Sequence, residues 1–119
     1  MRLTTPGPIR TRSAVDASDP TNPTGSPIQG VLKSDTDDWV GIYAALSGAG
    51  ATGTVQLMVW CERTGQWHEV AGASVVFTAP GAKALVGLPN PGVYVWPKVT
   101  AIGGGGTMDV SVAGQRERH

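Results

Sequence analysis

Residues 53–70 read GTVQLMVWCERTGQWHEV, and this stretch decides the fold class. Aliphatic side chains alternate with polar or aromatic ones up to Cys61, and a second, shorter run begins at Gln66. The residues between the two runs end in Thr64-Gly65, a pair suited to a tight turn because glycine adopts positive φ without strain. Two such runs joined by a short polar turn predict a β-hairpin.

The same pattern continues on both sides of this hairpin. Glycine and proline punctuate the chain, and no segment has the 3.6-residue apolar period of a helix. The predicted strands are 31–33, 39–46, 54–61, 66–70, 74–79, 83–87, 93–102 and 107–112. The predicted turns lie at 48–50, 64–65, 71–72, 80–81, 89–92 and 103–106. Short strands at this spacing predict an all-β fold for residues 31–114, an antiparallel β-sandwich or a jelly-roll-like barrel.

Residues 1–30 differ from this β domain in composition. They contain five prolines and no aromatic residue. Each proline fixes φ, removes a donor and restricts the residue before it, so a helix or a central strand is disfavoured. We predict an extended N-terminal arm that is disordered in the free protein and ordered on a partner, and whose removal leaves the thermal stability unchanged. Residues 115–119 are predicted to be a polar tail.

Composition limits the classes of partner. The formal net charge is zero, so no overall charge draws the protein to nucleic acid or to an anionic membrane. Cys61 is the single cysteine, which excludes an intrachain disulfide and fits folding in a reducing cytoplasm. The first residues, MRLTTPGPIRTR, contain no apolar stretch of the kind found in secretory signals. No apolar run is long enough to span a bilayer.

The parity of the aromatic residues suggests a binding face. In three predicted strands the aliphatic residues share one face, and the aromatic residues share the other. The aromatic residues are either an exposed interface or packed under loops and against the second sheet. The candidate partner-binding residues are these aromatics together with apolar and cationic residues of the arm: Trp39, Tyr43, Trp60, Tyr94, Trp96, Leu3, Ile9, Arg10 and Arg12.

Catalytic and metal-binding patterns are weak in this sequence. Asp35, Asp37 and Asp38 lack the glycine that a calcium loop requires next, so a solvated turn is the preferred interpretation. Cys61 and His68 flank the predicted hairpin, but parity points the thiol into the core, where cysteine behaves as a small apolar residue. Gly103 to Gly106 lacks the lysine and the helix of a phosphate loop. We therefore predict no catalytic residues, no metal and no cofactor.

Three stretches resemble small phage-encoded β-sandwich virion proteins. They are residues 53–70, the strand Pro91-Gly-Val-Tyr-Val-Trp-Pro-Lys-Val-Thr100, and the closing Gly106-Thr-Met-Asp-Val-Ser-Val112. The resemblance covers residues 31–114 and implies a virion surface protein of the capsid decoration (cement) or head-fibre type. It would be made in the host cytoplasm and bind a major capsid protein or another virion protein.

The arm favours decoration, because an arm that is costly to order alone becomes useful along neighbouring capsid subunits. Such a protein would bridge subunits through its arm and gain avidity as a homo-oligomer or a lattice of copies. The alternative is a carbohydrate- or receptor-binding module of a tail or head fibre, with Trp39, Trp60 or Trp96 as stacking platforms. An enzyme is the third and least supported class.

Overall fold

A computed structural model describes residues 2–4, 9–12, 23–24, 30–34 and 37–116. The described residues form strands and turns, and none of them is helical. No apolar helix of membrane-spanning length occurs in this part of the chain. The strands are β1 (Arg2–Thr4), β2 (Ile9–Arg12), β3 (Leu32–Lys33), β4 (Trp39–Ser47), β5 (Thr52–Cys61), β6 (Gln66–Phe77), β7 (Gly81–Pro89), β8 (Tyr94–Gly103) and β9 (Thr107–Arg116).

Two antiparallel sheets pack face to face, which confirms the predicted β-sandwich. Sheet A has the order β1-β9-β4-β7, and β2 pairs with β9 beside β1. Sheet B has the order β3-β8-β5-β6. The predicted hairpin of residues 53–70 is the β5–β6 pair at the edge of sheet B, and Gly65 occupies its turn with φ 65°.

The core between the sheets contains the aliphatic residues that parity predicts. Six of them, Val40, Ile42, Val55, Leu57, Val95 and Val99, are almost fully buried in one cluster, and Val59 packs against that cluster at its margin. Alternation along a strand places every second side chain on the same face, so the local pattern is sufficient to identify this set.

Two parity expectations for the predicted strand 93–102 are wrong. A register shift between Thr54 and Val55 in the β5–β8 pair turns Ala101 outward, where it is exposed. Val93 precedes β8 and is also exposed. A bulge inserts an unpaired residue and reverses the alternation beyond it, which a strictly periodic prediction cannot include.

The predicted turn at Ala71-Gly72 is also wrong. β6 runs unbroken from Gln66 to Phe77, and its pairing with β5 shifts between Gln56 and Met58. Gly72 has φ 77° and lies in this irregularity. Glycine there serves a bulge in a long strand, a role that its sequence context does not distinguish from a turn.

Two segments of the arm join the sandwich. β1 and β2 run antiparallel to β9, with Leu3 opposite Gln115 and Ile9 opposite Val110. The expectation that the arm finds contacts only on neighbouring molecules is therefore wrong for these two strands. They lie at a sheet edge, the location in which a proline-rich segment is tolerated because one side of the strand needs no ladder hydrogen bonds. The rest of the predicted arm, apart from Pro23, Thr24 and Gly30, lies outside the described residues.

Candidate protein-interaction surface

The aromatic residues predicted to bind a partner are divided between the two sheets. Trp39 and Tyr43 lie on β4 and point away from the core of sheet A, with 38% and 37% of their surfaces exposed. Trp60, Tyr94 and Trp96 lie on the outer side of sheet B, where Trp96 is buried and the other two are half-buried. The sequence left two alternatives, an exposed aromatic interface and packed aromatic residues. Both therefore occur, the first on sheet A and the second on sheet B.

The outer side of sheet A, here called the sheet A face, carries two rows of small side chains around Tyr43. Tyr43 stands between Ser111 of β9 and Ala84 of β7. In the next row Ala45 stands between Asp109 and Ala82. Side chains directly opposite in antiparallel strands lie on the same side of the sheet, so these residues form one continuous surface. They line an open groove of about 440 Å³.

Alanine creates this groove because it leaves the sheet backbone nearly uncovered beside a large aromatic ring. Tyr43 forms a wall, the alanines form the floor, and Asp109 and Ser111 supply polar groups on the β9 side. The groove is within the volume range of small-ligand pockets, about 300–1,000 Å³, and can also accept a side chain of a protein partner.

A close approach of β7 to β4 extends the apolar part of this surface. Gly41 has no Cβ, and a Cβ there would lie 3.1 Å from Cγ1 of Val86. Val86 therefore lies over Gly41 on the sheet A face and is 52% exposed. The register shift in the β4–β7 pair between Val40 and Ile42, together with Gly87 at φ 73°, allows this close approach of the two strands. Trp39, Val86 and Tyr43 are three of the exposed large apolar residues, and all are on this face.

β7 is the edge strand of sheet A, and most of its residues are exposed on both faces. Lys83 is its charged residue, but the ammonium group donates to the Val76 carbonyl at 2.7 Å and lies 5.4 Å from the Phe77 ring. This cation is directed toward β6, so it does not interrupt the apolar surface around Tyr43.

The outer side of sheet B carries a second apolar cluster, here called the tryptophan face. Trp60 is directly opposite Trp67, with ring centroids 5.6 Å apart at 65°. The Trp67 and Trp96 centroids are 5.8 Å apart at 57°, and Lys98 Nζ lies 5.9 Å from the Trp96 ring. Edge-to-face and tilted contacts of this kind are the favoured geometries for aromatic pairs. The tryptophan face comprises Val31, Met58, Trp60, Trp67, Tyr94 and Trp96.

The arm residues predicted to bind a partner lie within sheet A, on the strands that pair with β9. The backbone register puts Arg10 opposite Asp109, Arg12 opposite Thr107 and Leu3 opposite Gln115, while Ile9 is opposite Val110. β2 therefore lies at the β9 side of the sheet A face, whereas β7 forms the opposite margin of that face. The structure brings the arm strands close to Tyr43 but leaves Trp60, Tyr94 and Trp96 on the opposite side of the sandwich.

The Cys61–His68 pair is connected through Thr64. The Thr64 hydroxyl lies 2.7 Å from His68 Nε2 and also donates to the Cys61 carbonyl oxygen at 3.4 Å. Cys61 is half-buried at the end of β5, so its predicted core position is wrong. The pKa of Cys61 is lowered, first by a hydrogen bond from the Thr64 backbone, then by the Thr64 side chain and the Arg63 backbone. These are interactions within one tight turn.

The structure describes two of the three residues of the acidic cluster. Asp38 is exposed, but Asp37 is buried, so a fully solvated turn is the wrong description of this segment. Asp35 lies outside the described residues. Among the residues that are described, no group of three or more His, Cys, Asp or Glu side chains could hold a metal ion.

Asn90 organises the backbone near Asp37. Its amide nitrogen donates to the Ser34 carbonyl and, at 2.9 Å, to the Asp37 carbonyl. Its amide oxygen accepts from the Ser34 hydroxyl at 3.2 Å and from the Gly92 N–H at 3.1 Å. These bonds connect the segment before β4 to the β7–β8 connection, and so fix where Trp39 enters the sheet A face.

Several members of these surfaces were not found from the sequence. Ala82, Ala84 and Val86 belong to a strand whose small residues give almost no alternation signal. Trp67 could have been found, because its register with Trp60 follows from the predicted hairpin. Comparisons of the chain with protein-family models, with curated proteins and with solved structures find no match.

Proposed function

We propose that this protein is a bacteriophage virion structural protein, a capsid decoration protein that binds the capsid through the sheet A face. The observation that carries the proposal is the exposure of Trp39, Tyr43 and Val86 around an alanine-floored groove. Contiguous exposed apolar surface of this kind is typical of protein-binding sites. The sequence resemblance to phage virion proteins supplies the identity of the partner class.

The chemistry of the sheet A face suits a protein partner. Tryptophan and tyrosine bury large rigid surfaces at a small cost in side-chain entropy, and they dominate the energetics of many interfaces. The groove beside Tyr43 can receive one partner side chain, which would fix register and orientation. Polar groups at Asp109 and Ser111 then lie at the margin, as in interfaces with an apolar centre and a polar rim.

In this proposal the arm has a different role from the one expected from the sequence. β1 and β2 already use the open edge of β9, and a backbone group cannot make the same ladder hydrogen bond twice. To bridge two subunits, the arm must pair with the β9 of a neighbouring copy in place of its own. Homo-oligomerisation by this exchange would keep every ladder bond and hold the copies together through hydrogen-bonded strand pairing, without a covalent bond between them.

The first test is the abundance of the protein in purified particles of the phage that encodes it. Quantitative mass spectrometry should find a copy number comparable to that of the capsid subunits. A handful of copies per particle would place the protein in the tail or neck, and absence from particles would overturn the proposal.

The second test addresses the binding face. Tyr43→Ser should reduce affinity for undecorated capsids by about tenfold or more, the loss expected for an interface anchor. The matched control is Val76→Ser, which changes a residue that is 53% exposed on β6, outside the sheet A face. Both variants should keep the thermal midpoint of the parent. Equal capsid occupancy by parent and Tyr43→Ser would exclude this face.

A carbohydrate- or receptor-binding role is the second candidate, favoured by one arrangement. Tyr43 is directly opposite Ser111, and Asp109 lies in the neighbouring row of the same face. Sugars bind through a combination of ring stacking and polar groups of this kind. Of the three tryptophans considered as platforms, Trp39 is exposed, whereas Trp60 and Trp96 belong to the covered tryptophan face. Binding of the isolated protein to a glycan array, abolished by Tyr43→Ser, would favour this role over decoration.

A further inference from the structure

One side of the sandwich presents two strand edges that no described strand covers. β7 is the terminal strand of sheet A, and β6 is the terminal strand of sheet B. The two strands follow each other in the chain, and a hydrogen bond from Lys83 to the Val76 carbonyl joins them, so their open edges lie side by side. They are nine and twelve residues long, and long uncovered edges are sites at which a strand can be added.

Apolar side chains at the margin of the core reach the surface along these edges. Leu85 and Leu88 of β7 and Val70 of β6 pack against the core cluster, but each of them is only half-buried. Val86 lies on the sheet A face and is 52% exposed. A partner that covers these side chains would remove apolar surface from water, which favours association.

No charge projects from the β7 edge toward a partner. A lysine on an edge strand ordinarily discourages strand addition. Lys83 is the charged residue of β7, but its ammonium group is directed toward β6 of its own chain, where it donates to the Val76 carbonyl at 2.7 Å. The formal net charge of the chain is zero, so two copies of the protein do not repel each other at a distance.

The regular part of β7 matches itself in the antiparallel direction. Ala82, Ala84 and Val86 lie on the sheet A face, and Gly87, at φ 73°, ends the regular stretch. Pairing residues 82–86 of two copies sets Ala82 opposite Val86 and Ala84 opposite its own equivalent. Because opposite residues in an antiparallel pair lie on the same side of the sheet, small apolar side chains then meet small apolar side chains.

We propose that this protein forms a symmetric dimer in which β7 pairs antiparallel with β7 of a second copy, about a two-fold axis through Ala84. The axis is normal to the sheets, because half a turn about the normal extends each sheet in its own plane and reverses the strand direction. The same rotation brings β6 beside β6 of the second copy. A single extended peptide would cover one of the two edges, whereas a second copy covers both, so the surface fits a second copy best.

The size of the two edges is sufficient for a specific dimer of moderate affinity. β7 has nine residues and is therefore about 30 Å long, and packed sheets lie about 10 Å apart. Contact along both edges, side chains included, would cover about 600 Å² of each copy, which is at the lower end of the range for specific interfaces. We therefore expect a dissociation constant in the micromolar range.

The symmetry of the dimer has a consequence for capsid binding, and this consequence rests on the proposed decoration function. Rotation about an axis normal to the sheets leaves both sheet A faces on the same side of the dimer. The two Tyr43 grooves then face one partner surface, so two modest contacts would act together and gain avidity. The dimer itself does not depend on that function, and it leaves the β9 edge, with β1 and β2, untouched.

An exchange of charges across the axis tests the proposed register. Sedimentation should show that the parent is largely dimeric at about 200 µM and dissociates on dilution to about 2 µM. Ala82→Lys with Val86→Lys should weaken self-association at least tenfold, because like charges then lie directly opposite each other. Ala82→Glu with Val86→Glu should do the same. An equimolar mixture of the two variants should restore the dimer, since opposite charges then meet, and restoration also shows that both variants fold.

The matched control adds the same two charges away from the edges. Thr100→Lys with Ala101→Lys changes two exposed residues of β8, an interior strand of sheet B, and should dimerise as the parent does. A parent that is monomeric at about 200 µM would overturn the proposal. So would an Ala82→Lys, Val86→Lys variant that self-associates as strongly as the control, or a mixture that stays monomeric.

Hydrogen exchange identifies the strand that pairs in the unmodified protein. Amides of β7, followed by mass spectrometry, should exchange about threefold or more slowly at the higher of the two concentrations, whereas β4 should not change, because it is already paired on both sides. Concentration-dependent protection of β9 instead of β7 would assign self-association to exchange of the arm and overturn the proposal. Neither measurement uses capsids, so failure of the dimer is distinguishable from failure of the decoration proposal.

Discussion

At the residue scale, a few side chains determine where the candidate surface lies. Gly41 has no Cβ and so lets the Val86 side chain lie against β4. Asn90 donates to the Asp37 carbonyl and so fixes the backbone just before Trp39. Gly114 has a related role, because a Cβ there would overlap the carboxylate of buried Asp37. None of these residues carries chemistry of its own. Each allows or enforces a close approach, and the exposed aromatic residues depend on that approach for their position.

Asn90→Ala should lower the free energy of unfolding by about 2 kcal/mol, because the change leaves partly buried backbone groups of Ser34 and Gly92 without their side-chain partner. Urea denaturation measures the loss. Gln66→Ala is the matched control, since it removes an exposed amide near the β5–β6 turn and should cost less than about 0.5 kcal/mol. A cost for Asn90→Ala as small as that of the control would mean that water replaces these hydrogen bonds.

At the element scale, the two edges of sheet A differ in how well they are protected from pairing with another chain. β7 leaves one side of its backbone unpaired among the described strands and carries little charge, whereas β1 and β2 cover the outer edge of β9. Uncovered edges are sites at which another chain can add a strand. The arm therefore protects the sheet in addition to any role in bridging.

Removal of residues 1–12 should lower the thermal midpoint by several degrees, since it deletes both strands that pair with β9. This reverses the sequence-based expectation that loss of the arm leaves stability unchanged. The truncated chain should also self-associate more strongly than the parent, because the β9 edge becomes free. Calorimetry and sedimentation measure the two effects. A midpoint equal to that of the parent would show that the pairing of β1 and β2 contributes nothing to the stability of the isolated molecule.

At the scale of the whole molecule, a neutral chain with one exposed apolar face should bind through burial of that face and only weakly through charge. The formal net charge is zero, so no long-range field attracts or repels a partner. The tryptophan face lies on the other sheet, and the two surfaces are separated by the core. One side of the sandwich is thus available to a partner while the other is covered.

The capsid binding that we propose should therefore depend little on salt. Between about 0.05 and 0.5 M sodium chloride the dissociation constant should change less than about threefold, because screening acts on charges rather than on apolar burial. Titration of labelled protein onto particles at each salt concentration measures this. A decrease in affinity of a hundredfold or more would indicate contacts to charged groups, such as phosphates, and would argue against the sheet A face as the main contact.

The sequence by itself determined the strands of residues 31–114 apart from the break predicted at Ala71-Gly72, the hairpin of residues 53–70 and the aliphatic core, because alternation along a strand is a local property that each residue expresses with its immediate neighbours. It could not determine which sheet each strand joins. That choice left Trp39 and Tyr43 exposed on sheet A and placed Trp96 in a covered cluster on sheet B. The tertiary structure also decided the reversal at Ala101, the burial of Asp37 and the pairing of β1 and β2 with β9. These features depend on contacts between residues far apart in the chain, whose register is set by packing of the whole sandwich and leaves no periodic signal in any one segment.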